Sequence, residues 1–300
     1  MTVCIAAACE EGEKCVTVTD GLLTYGGIAA EVLQHKRLWK GEWELMYAGS
    51  PEHFTMILGE WDEIQLSRTG ATTRRNVQET LSNAFRAFLS KASSFSVLSP
   101  FDLSLEEFKK GGLEMMGRGR FRHMSEQIEA NAATIQDQIL AVGWGHAPAS
   151  VMIYEVSGYG GKSYANGGIA AIGSGRDVAL SNLLLLGQNR SLSLARTIYN
   201  VAAAKFSAEH SSGLYVGKEA TNVFVSWKRT DADTDPIVGS SLSKDEIGEL
   251  RTLWEQHGRP RIPREALIAA VAMSQRIKGA ISAEEMAESI EAHRSREEPE

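Results

Sequence analysis

The amino-acid sequence predicts an α+β fold, in which groups of β-strands alternate with pairs of helices before a helical end segment. The first observation is a strand hairpin. Residues 3–9 form a small and β-branched run typical of a strand buried on both faces, and a β-rich run at 15–19 returns after an acidic turn. The second is a helix after Pro51, where apolar residues recur at helical spacing. These residues are Phe54, Ile57, Leu58, Trp61 and Ile64.

The remaining elements continue this alternation along the chain. The stretch from residue 21 to 35 is looser, and two short strands are predicted after it at 36–39 and 42–48. A second helix is predicted at about 73–93, because its apolar residues share one face. Later strands are expected at 138–142, 150–156, 162–165, 168–172 and 221–227, and later helices at about 176–186 and 193–208.

Residues 236–300 are predicted to form a helical C-terminal extension of a domain at 2–235. The segments 243–246 and 282–285 both have the pattern Ser-x-x-Glu. This is the capping box, in which a hydroxyl and a carboxylate satisfy backbone donors at the start of a helix. Another helix is predicted between them, at 263–278, and a glycine ends it.

The segment at about 94–133 is interpreted as an exposed loop or an insertion into the domain. It mixes serine, glycine, phenylalanine and charge, and it includes the basic run Gly-Arg-Gly-Arg-Phe-Arg-His at 117–123. A basic run with an aromatic residue can contact phosphate. The formal net charge of −7 nevertheless opposes a general affinity for nucleic acid or for anionic membranes.

The composition indicates a globular protein, and no cofactor is expected. Hydrophobic residues make up 43% of the 300 residues and charged residues 23%, which is enough to bury a core and excludes wholesale disorder. No apolar run approaches the ~20 residues that cross a bilayer. The seven histidines are scattered and none pairs with a cysteine at ligand spacing, so no metal is expected.

Cysteine usage and the start of the sequence predict a cytoplasmic protein. Cys4, Cys9 and Cys15 are an odd set within one hairpin and form no disulfide framework, so reduced thiols are expected. The opening residues lack the charged start, apolar stretch and small-residue exit of a signal peptide. Cysteines in the middle of a strand are usually small buried hydrophobes, which makes Cys4 and Cys15 poor candidate nucleophiles.

The position of Thr2 is the most informative feature for chemistry. Methionine excision is favoured when the second residue is small, so Thr2 is expected to become the N-terminal residue. Its hydroxyl would then lie beside a free α-amine with an unperturbed pKa of roughly 7.7–8.0, low enough to act as a base near neutral pH. This is the threonine and amine pair of N-terminal nucleophilic catalysis.

Three further residues are expected to converge on Thr2. Antiparallel pairing returns the end of the second strand to the start of the first, which brings Asp20 beside Thr2. Lys36 follows at the head of the next strand. Gly49 ends a later strand just before a helix start, where its backbone N–H can face a developing oxyanion.

In order and spacing, these motifs resemble the proteasome β-subunit family of N-terminal-nucleophile hydrolases, and especially the bacterial heat-shock peptidase. The resemblance spans about residues 2–230 and includes the sixteen-residue gap from Asp20 to Lys36. It implies a four-layer αββα sandwich, in which two antiparallel sheets are stacked between helical layers. The motifs that carry it are Thr2-Val-Cys-Ile-Ala6, Thr19-Asp20-Gly21, Lys36, Ala48-Gly49, Ile172-Gly-Ser-Gly175 and the segment 203–213.

The resemblance implies a role for each matched residue. Thr2 Oγ1 attacks a carbonyl and its own amine takes the proton, while Lys36 lowers the pKa of that amine. Asp20 holds Lys36 and the N-terminal turn in place, and the Gly49 N–H stabilises the tetrahedral oxyanion. A supporting polar shell around the amine is implied at Ser174, Glu209 and Ser212.

The function expected from these residues is hydrolysis of amide bonds, most directly of peptide bonds, through an acyl-enzyme on Thr2. Two alternatives stay open: a non-catalytic subunit of proteasome fold that serves assembly, and an amidase for small molecules. The resemblance further implies a homo-oligomer, as a ring or part of a ring. It also implies a peptide or protein substrate, with an ATP-dependent unfoldase as a candidate partner.

Two other motifs suggest chemistry more weakly. His210 beside Ser211 and Ser212 has residue types of a serine-hydrolase site, but adjacency in sequence does not build a triad. The turn at 173–175 begins like a dinucleotide-binding loop, but Val178 stands where the third glycine is required.

Overall fold

The computed structural model describes residues 2–25, 28–31, 36–67, 77–145, 150–212, 221–228 and 237–258. The strands within them are β1 (Cys4–Cys9), β2 (Lys14–Thr19), β3 (Leu22–Tyr25), β4 (Ile28–Glu31), β5 (Arg37–Lys40), β6 (Trp43–Ala48), β7 (Gln138–Trp144), β8 (Val151–Ser157), β9 (Gly160–Ser163), β10 (Ile169–Ile172), β11 (Asn222–Lys228) and β12 (Ile237–Ser241). The helices are α1 (Pro51–Ser67), α2 (Val77–Leu98), α3 (Leu105–Thr134), α4 (Arg176–Leu185), α5 (Leu194–Ser212) and α6 (Lys244–Leu253). None of these described helices is both long enough and apolar enough to cross a bilayer.

The first sheet has the strand order β10-β1-β2-β11-β12, and the predicted N-terminal hairpin lies at its centre. All six residues of β1 are fully buried, as predicted for a strand covered on both faces. A short 3₁₀ turn at Glu10–Gly12 connects β1 to β2, and the antiparallel register pairs Cys4 with Thr19. Because of this register, Asp20 lies alongside the residues that precede β1.

The second sheet has the strand order β5-β6-β7-β8-β9, and each neighbouring pair is antiparallel. The strands predicted at 36–39, 42–48, 138–142 and 150–156 all belong to it, with ends that differ by one or two residues. The stretch that was expected to be looser contains β3 and β4, which form a separate two-stranded hairpin.

Three buried clusters show how the layers are arranged. One face of the first sheet packs against α4, α5 and α6, as in the contact of Val16 with the cluster that includes Val201. The opposite face packs against the second sheet, where Ala6 and Met46 share a cluster. The far face of the second sheet packs against α1 and α2 through residues such as Leu81. The chain is therefore a four-layer αββα sandwich, which confirms the predicted fold class.

The segment at 94–133 is helical, so the expectation of an exposed loop there is wrong. α2 continues to Leu98, and α3 covers most of the remainder with a kink at Gly117. A capping box starts α3, in which Ser104 Oγ accepts the Glu107 N–H at 3.2 Å and Glu107 Oε2 accepts the Ser104 N–H at 2.8 Å. This Ser-x-x-Glu signal is present in the sequence and predicts a helix start there.

Gly112 of α3 lies in close packing between two aromatic rings of the same helix. The rings of Phe108 and Phe121 stack with centroids 4.7 Å apart. A Cβ added to Gly112 would lie 2.9 Å from the Phe108 ring and 3.1 Å from the Phe121 ring. Glycine is therefore required for this contact, and the packing offsets its low helix propensity.

The last described elements are β12 and α6. β12 pairs with β11 at the edge of the first sheet. α6 begins at a predicted capping box, where Ser243 Oγ accepts the Glu246 N–H at 3.2 Å. The chain divides into two compact units, residues 1–257 and 258–300. The helix predicted at 263–278 and the capping box predicted at 282–285 lie outside the described residues.

Candidate active site

Thr2, Asp20 and Lys36 lie together in one buried cluster, which we call the threonine site. Lys36 Nζ donates a hydrogen bond to Thr2 Oγ1 and another to Asp20 Oδ1, at 3.0 Å. Asp20 Oδ2 accepts the backbone N–H of Val3 at 3.2 Å. Thr2 is 5% exposed, Lys36 1% and Asp20 0%, so the three polar groups are shielded from water.

Both sheets contribute to this site. The pairing of Cys4 with Thr19 in the first sheet places Asp20 next to Val3 and Thr2. Lys36 immediately precedes β5 of the second sheet, and its carbonyl accepts the Tyr47 N–H from β6 at 3.4 Å. The Cys4 thiol donates to the Tyr47 carbonyl at 3.4 Å, which ties β1 to the same point of β6.

The carbonyl of Thr2 is held by the turn before α4. It accepts hydrogen bonds from Ser174 Oγ and from the Gly175 N–H, both at 3.4 Å. Gly173 has φ +89°, and a Cβ there would lie 2.1 Å from the Thr2 carbonyl oxygen, so only glycine fits. Ser174, which was predicted to surround the amine, thus contacts the backbone carbonyl of Thr2.

The strand end before Gly49 lies beside this turn. A Cβ on Gly173 would lie 3.3 Å from the Cβ of Ala48, the residue that precedes Gly49. Gly49 itself has φ +132°, and a Cβ on it would lie 1.8 Å from Asp137 Oδ1. The left-handed backbone and the adjacent carboxylate both require glycine at this position.

Asp137 holds the turn that Gly49 begins. Its Oδ1 accepts the Ser50 N–H at 2.8 Å, and its Oδ2 lies 2.6 Å from His53 Nδ1. The next residue, Gln138, accepts the Gly173 N–H through its side-chain oxygen at 2.8 Å. Two consecutive residues at the start of β7 therefore hold the turn at Gly49–Ser50 and the turn at Gly173, the second of which contacts Thr2.

Glu209 is buried, and its described contacts are with residues other than Thr2. Lys205 Nζ and Thr221 Oγ1 both donate to Glu209 Oε1, the latter at 3.4 Å. Arg251 of α6 donates from Nη1 to Glu209 Oε2 at 2.5 Å and from Nη2 to Oε1 at 3.1 Å. Ser212 is the last residue of α5, and its side chain lies outside the described part of the chain.

Burial and charge act on Asp20 in opposite directions. Burial raises the pKa of the Asp20 carboxyl, while the charges of Lys36 and Lys205 and the hydrogen bonds from Lys36 and Val3 lower it. Lys205 is fully buried in α5, and burial lowers its pKa against the charges of Glu209 and Asp20. The pairing matters because a buried carboxylate without a partner is strongly destabilising.

A second buried polar cluster lies one residue beyond Lys36. Arg37 Nε and Thr17 Oγ1 both donate to Glu44 Oε1 at 2.6 Å. Burial raises the pKa of Glu44, and the charge of Arg37 opposes this. These contacts join β5 and β6 of the second sheet to β2 of the first.

Other nucleophiles and metal centres have less support. Burial raises the pKa of the Cys4 and Cys15 thiols, so both hold their protons, and a thiol is a far weaker nucleophile than a thiolate. Within the described ranges, no group of three or more His, Cys, Asp or Glu side chains is arranged to hold a metal ion.

Sequence reasoning missed Asp137, Lys205 and Arg251. Asp137 and Arg251 reach their partners only through tertiary packing, so no local pattern indicates them. Glu209 lies four residues after Lys205, one residue beyond the helix predicted at 193–208, and that spacing on a helix is a usable signal for an ion pair. The spacing does not indicate that this face of α5 is buried against the first sheet.

The chemistry open to the threonine site is nucleophilic attack by Thr2 Oγ1. The oxygen has a hydrogen-bond donor in Lys36, and a glycine turn lies beside it. Proton transfer from the hydroxyl requires a base, which the α-amine of an N-terminal threonine supplies.

Comparison with known proteins gives matches of structure only. No protein-family model matches the chain, and no curated protein sequence matches it. Among solved structures, the Anbu (Gly-1) mutant from Hyphomicrobium sp. strain MC1 superposes with a TM-score of 0.56 at 13% identity, covering 91% of this chain and 97% of that one.

Two further structures agree with this match. Anbu from the same Hyphomicrobium strain has a TM-score of 0.55, and Anbu (ancestral beta-subunit) from Yersinia bercovieri has a TM-score of 0.53. In each case the sequences are 13% identical, and the match covers 90% of this chain and 97% of the Anbu chain. At that identity the likeness shows the fold alone. The chain has the proteasome-like N-terminal-nucleophile hydrolase fold.

Proposed function

We propose that the protein is a threonine-type N-terminal-nucleophile hydrolase that cleaves amide bonds through an acyl-enzyme on Thr2. The observation that carries the proposal is the hydrogen bond from Lys36 Nζ to Thr2 Oγ1, with Asp20 behind the lysine. A buried donor on that oxygen stabilises the negative charge that grows there as its proton leaves. The shared fold with the Anbu proteins supports the same proposal.

In the proposed acylation step, Met1 has been removed and the α-amine of Thr2 is the base. The amine takes the Oγ1 proton as Oγ1 bonds to the substrate carbonyl carbon, and the carbonyl electron pair moves to its oxygen. The Gly49 N–H donates to this oxyanion. When the carbon–nitrogen bond breaks, the ammonium returns its proton to the leaving nitrogen, and an ester remains on Thr2.

Hydrolysis of the ester completes the proposed cycle. A water molecule attacks the ester carbonyl while the amine takes one of its protons, and Oγ1 then leaves and recovers that proton. The products are a carboxylic acid, an amine and the original threonine. The hydrogen bonds from Ser174 and Gly175 to the Thr2 carbonyl keep the nucleophile oriented through both steps.

Turnover by matched variants tests the proposal. Thr2→Ala is expected to abolish hydrolysis of fluorogenic peptides with an unchanged melting temperature, whereas Thr2→Ser retains part of it. Thr55→Ala, which removes an exposed threonine of α1, serves as the control and keeps full turnover. Cleavage of small acyl amides but not of peptides would instead indicate an amidase. Thr2→Ala with wild-type turnover would remove Thr2 from the mechanism, and an inactive wild type would favour an assembly subunit.

The proposal includes assembly of the chain into a homo-oligomer, a ring or part of one, that acts on peptide or protein substrates. Leu184 and Leu185 at the end of α4 are 66% and 86% exposed, and this apolar end of α4 is the surface that we propose for assembly. Light scattering should give a multiple of 32.7 kDa, and Leu185→Glu should lower it. A wild-type monomer would contradict this part.

An ATP-dependent unfoldase partner and a cytoplasmic location belong to the same proposal. The three cysteines are buried free thiols, and thiols stay reduced in the cytoplasm. The unfoldase is tested by whether ATP is required for degradation of a folded substrate in cell extract but not for cleavage of a short peptide. Equal ATP dependence for both substrates would count against it.

A further inference from the structure

Arg37, the first residue of β5, has a buried side chain that reaches three other strands. Its Nε donates to Glu44 Oε1 at 2.6 Å, its Nη2 donates to Thr17 Oγ1 at 2.8 Å, and its Nη1 donates to Asn222 Oδ1. The guanidinium carbon also lies 4.7 Å from the centroid of the Phe224 ring. These contacts lead from β5 to β6, β2 and β11. We call Arg37, Glu44 and Thr17 the arginine cluster.

The alternation of side chains along the strands explains why Thr17 and Glu44 meet. In β2, Val16 and Val18 pack in the cluster that includes α5, so Thr17 between them points toward the second sheet. In β6, Met46 lies in the cluster between the sheets, and Glu44 shares its face because it is two residues away. Thr17 Oγ1 donates to Glu44 Oε1 at 2.6 Å, so the arginine cluster crosses from one sheet to the other.

The arginine cluster and the threonine site connect the same two segments of the chain. Lys36 and Arg37 are consecutive where β5 begins, while Thr17 lies in β2 and Asp20 immediately follows that strand. Lys36 Nζ donates to Asp20 Oδ1 at 3.0 Å. One residue further along β5, Arg37 Nη2 donates to Thr17 Oγ1 at 2.8 Å. Two side-chain contacts therefore bridge the sheets side by side, and the first includes the lysine that donates to Thr2 Oγ1.

We propose that Arg37 is a positioning residue of the threonine site, which holds the start of β5 against β2 so that Lys36 reaches Thr2 Oγ1. The inference rests on the proposed function, because it assigns Arg37 to the Thr2 reaction. Lysine has a flexible four-carbon stem, so the position of its ammonium depends on the backbone that carries it. A guanidinium suits the task of fixing that backbone, because its planar fork of donors binds several strands at once. Arg37 acts on Thr2 through Lys36.

Two variants of Thr17 test this geometry. Thr17→Val keeps a branched side chain and removes the hydroxyl, whereas Thr17→Ser keeps the hydroxyl. The measurement is labelling of Thr2 by a peptide epoxyketone, a reagent that bonds to an N-terminal threonine. Thr17→Val should lower the inactivation rate constant about tenfold without weakening reversible binding of the reagent, because a small displacement of a reacting group is enough. Thr17→Ser should recover most of the rate. A wild-type rate constant in Thr17→Val would overturn the inference.

Thr197→Val is the matched control, because it removes another fully buried threonine hydroxyl. That hydroxyl lies on α5 and accepts a hydrogen bond from Gln188 Nε2 at 3.1 Å. The control should lower the melting temperature, as Thr17→Val does, and should label at the wild-type rate. An equal loss of labelling in the two variants would show that labelling follows stability alone, and this too would overturn the inference.

A double variant removes the buried ion pair as a unit. Arg37→Met alone would leave the Glu44 carboxylate buried and under-compensated, which is strongly destabilising. Replacing both charged residues by apolar ones of similar volume is often neutral or stabilising. Arg37→Met with Glu44→Met should therefore fold with a melting temperature near that of the wild type and label at least about tenfold more slowly. Wild-type labelling by this folded variant would contradict a positioning role. Should it fail to fold, Thr17→Val decides.

A double-mutant cycle separates this inference from the proposed function. Thr17→Val, Lys36→Met and their combination are compared by urea unfolding, which needs no activity. If the two contacts hold β5 against β2 together, the combined variant should lose less stability than the sum of the two single losses. Additive losses overturn the inference even in an active enzyme. Wild-type protein that does not label at Thr2 overturns the proposed function, whatever the cycle shows.

Discussion

The carbonyl oxygen of Thr2 lies 2.1 Å from the position that a Cβ on Gly173 would occupy. The same oxygen accepts hydrogen bonds from the turn before α4, while the Thr2 hydroxyl accepts one from Lys36. Thr2, the proposed nucleophile, is therefore fixed at its backbone and at its side chain by two separate elements. Such preorganisation lowers the entropic cost of bringing a substrate carbonyl to Oγ1.

Gly173→Ala should disturb this arrangement directly. The new methyl group would meet the Thr2 carbonyl, and alanine is strained at φ +89°, so a loss of about 2–3 kcal/mol in the free energy of unfolding is expected. Labelling of Thr2 should fall with it. Gly167→Ala is the control, because a Cβ there has no neighbour within 4 Å. Equal stability of the two variants would show that the turn does not constrain Thr2.

Lys36→Met, combined with Asp20→Asn, separates the contribution of Lys36 to the reaction from its contribution to stability. Loss of the ammonium leaves the Asp20 carboxylate under-compensated, so the free energy of unfolding should fall by about 3 kcal/mol. Adding Asp20→Asn should recover much of that stability, since the buried charge is gone, but should not recover labelling. Urea unfolding and labelling rates report the two effects separately. Wild-type labelling by a folded double variant would show that Lys36 has no part in the reaction.

Asp137→Ala tests the turn that carries Gly49. The variant removes the acceptor of the Ser50 N–H and the partner of His53. The Gly49 N–H, the proposed oxyanion donor, should then lose its orientation. We expect kcat to fall about tenfold or more, with little change in KM. Asp137→Asn keeps an acceptor for Ser50 and should retain most of the rate. Asp62→Ala removes only a surface ion pair with Lys40 and is the control. A kcat for Asp137→Ala that matches this control would rule out the positioning role.

We expect the buried thiol of Cys9 to lower the stability of the protein at alkaline pH. Burial raises the pKa of Cys9 from 9.0 to about 11, so between these values the unfolded chain releases a proton that the folded chain keeps. Stability is therefore fully present below pH 9 and is lost as the pH rises through about 11. Urea unfolding at pH 8 and pH 10 measures the effect. Cys9→Ala should show a smaller drop than wild type, and an identical drop would assign the effect to other groups.

The β1–β2 hairpin could be predicted because the sequence signals for it lie within one short segment. A continuous apolar run, an acidic turn and a β-rich return define the β1–β2 pair, and antiparallel pairing then brings Asp20 beside Thr2. Lys36 could be placed because it precedes the next strand closely in sequence. Asp20 and Lys36 both lie within a residue of a strand end; Lys36 contacts Thr2, and Asp20 contacts Lys36 and the Val3 N–H.

The α2–α3 segment could not be predicted from composition. Its glycines indicated a loop, whereas Gly112 exists so that Phe108 and Phe121 can stack over it. Tertiary packing overrides helix propensity there. The capping box at Ser104 was the local signal that marked the helix start.

The outer part of the site depends on long-range packing. Asp137 is far from Gly49 in sequence, and Arg251 is far from Glu209, so neither contact follows from spacing. Glu209 was expected near the Thr2 amine, but its buried carboxylate binds Lys205 and Arg251. The partners of the Glu209 carboxylate thus include a residue of α6, the last described α-helix.

The most direct test of the account uses a peptide epoxyketone, a reagent that can bond to both the hydroxyl and the α-amine of an N-terminal threonine. Purified protein is treated with it and analysed by intact mass and by peptide mapping. The account predicts a chain that lacks Met1 and carries one reagent, bonded at both Oγ1 and the α-nitrogen of Thr2. A chain that retains Met1, or that leaves Thr2 unmodified while a control N-terminal threonine hydrolase reacts, would contradict it.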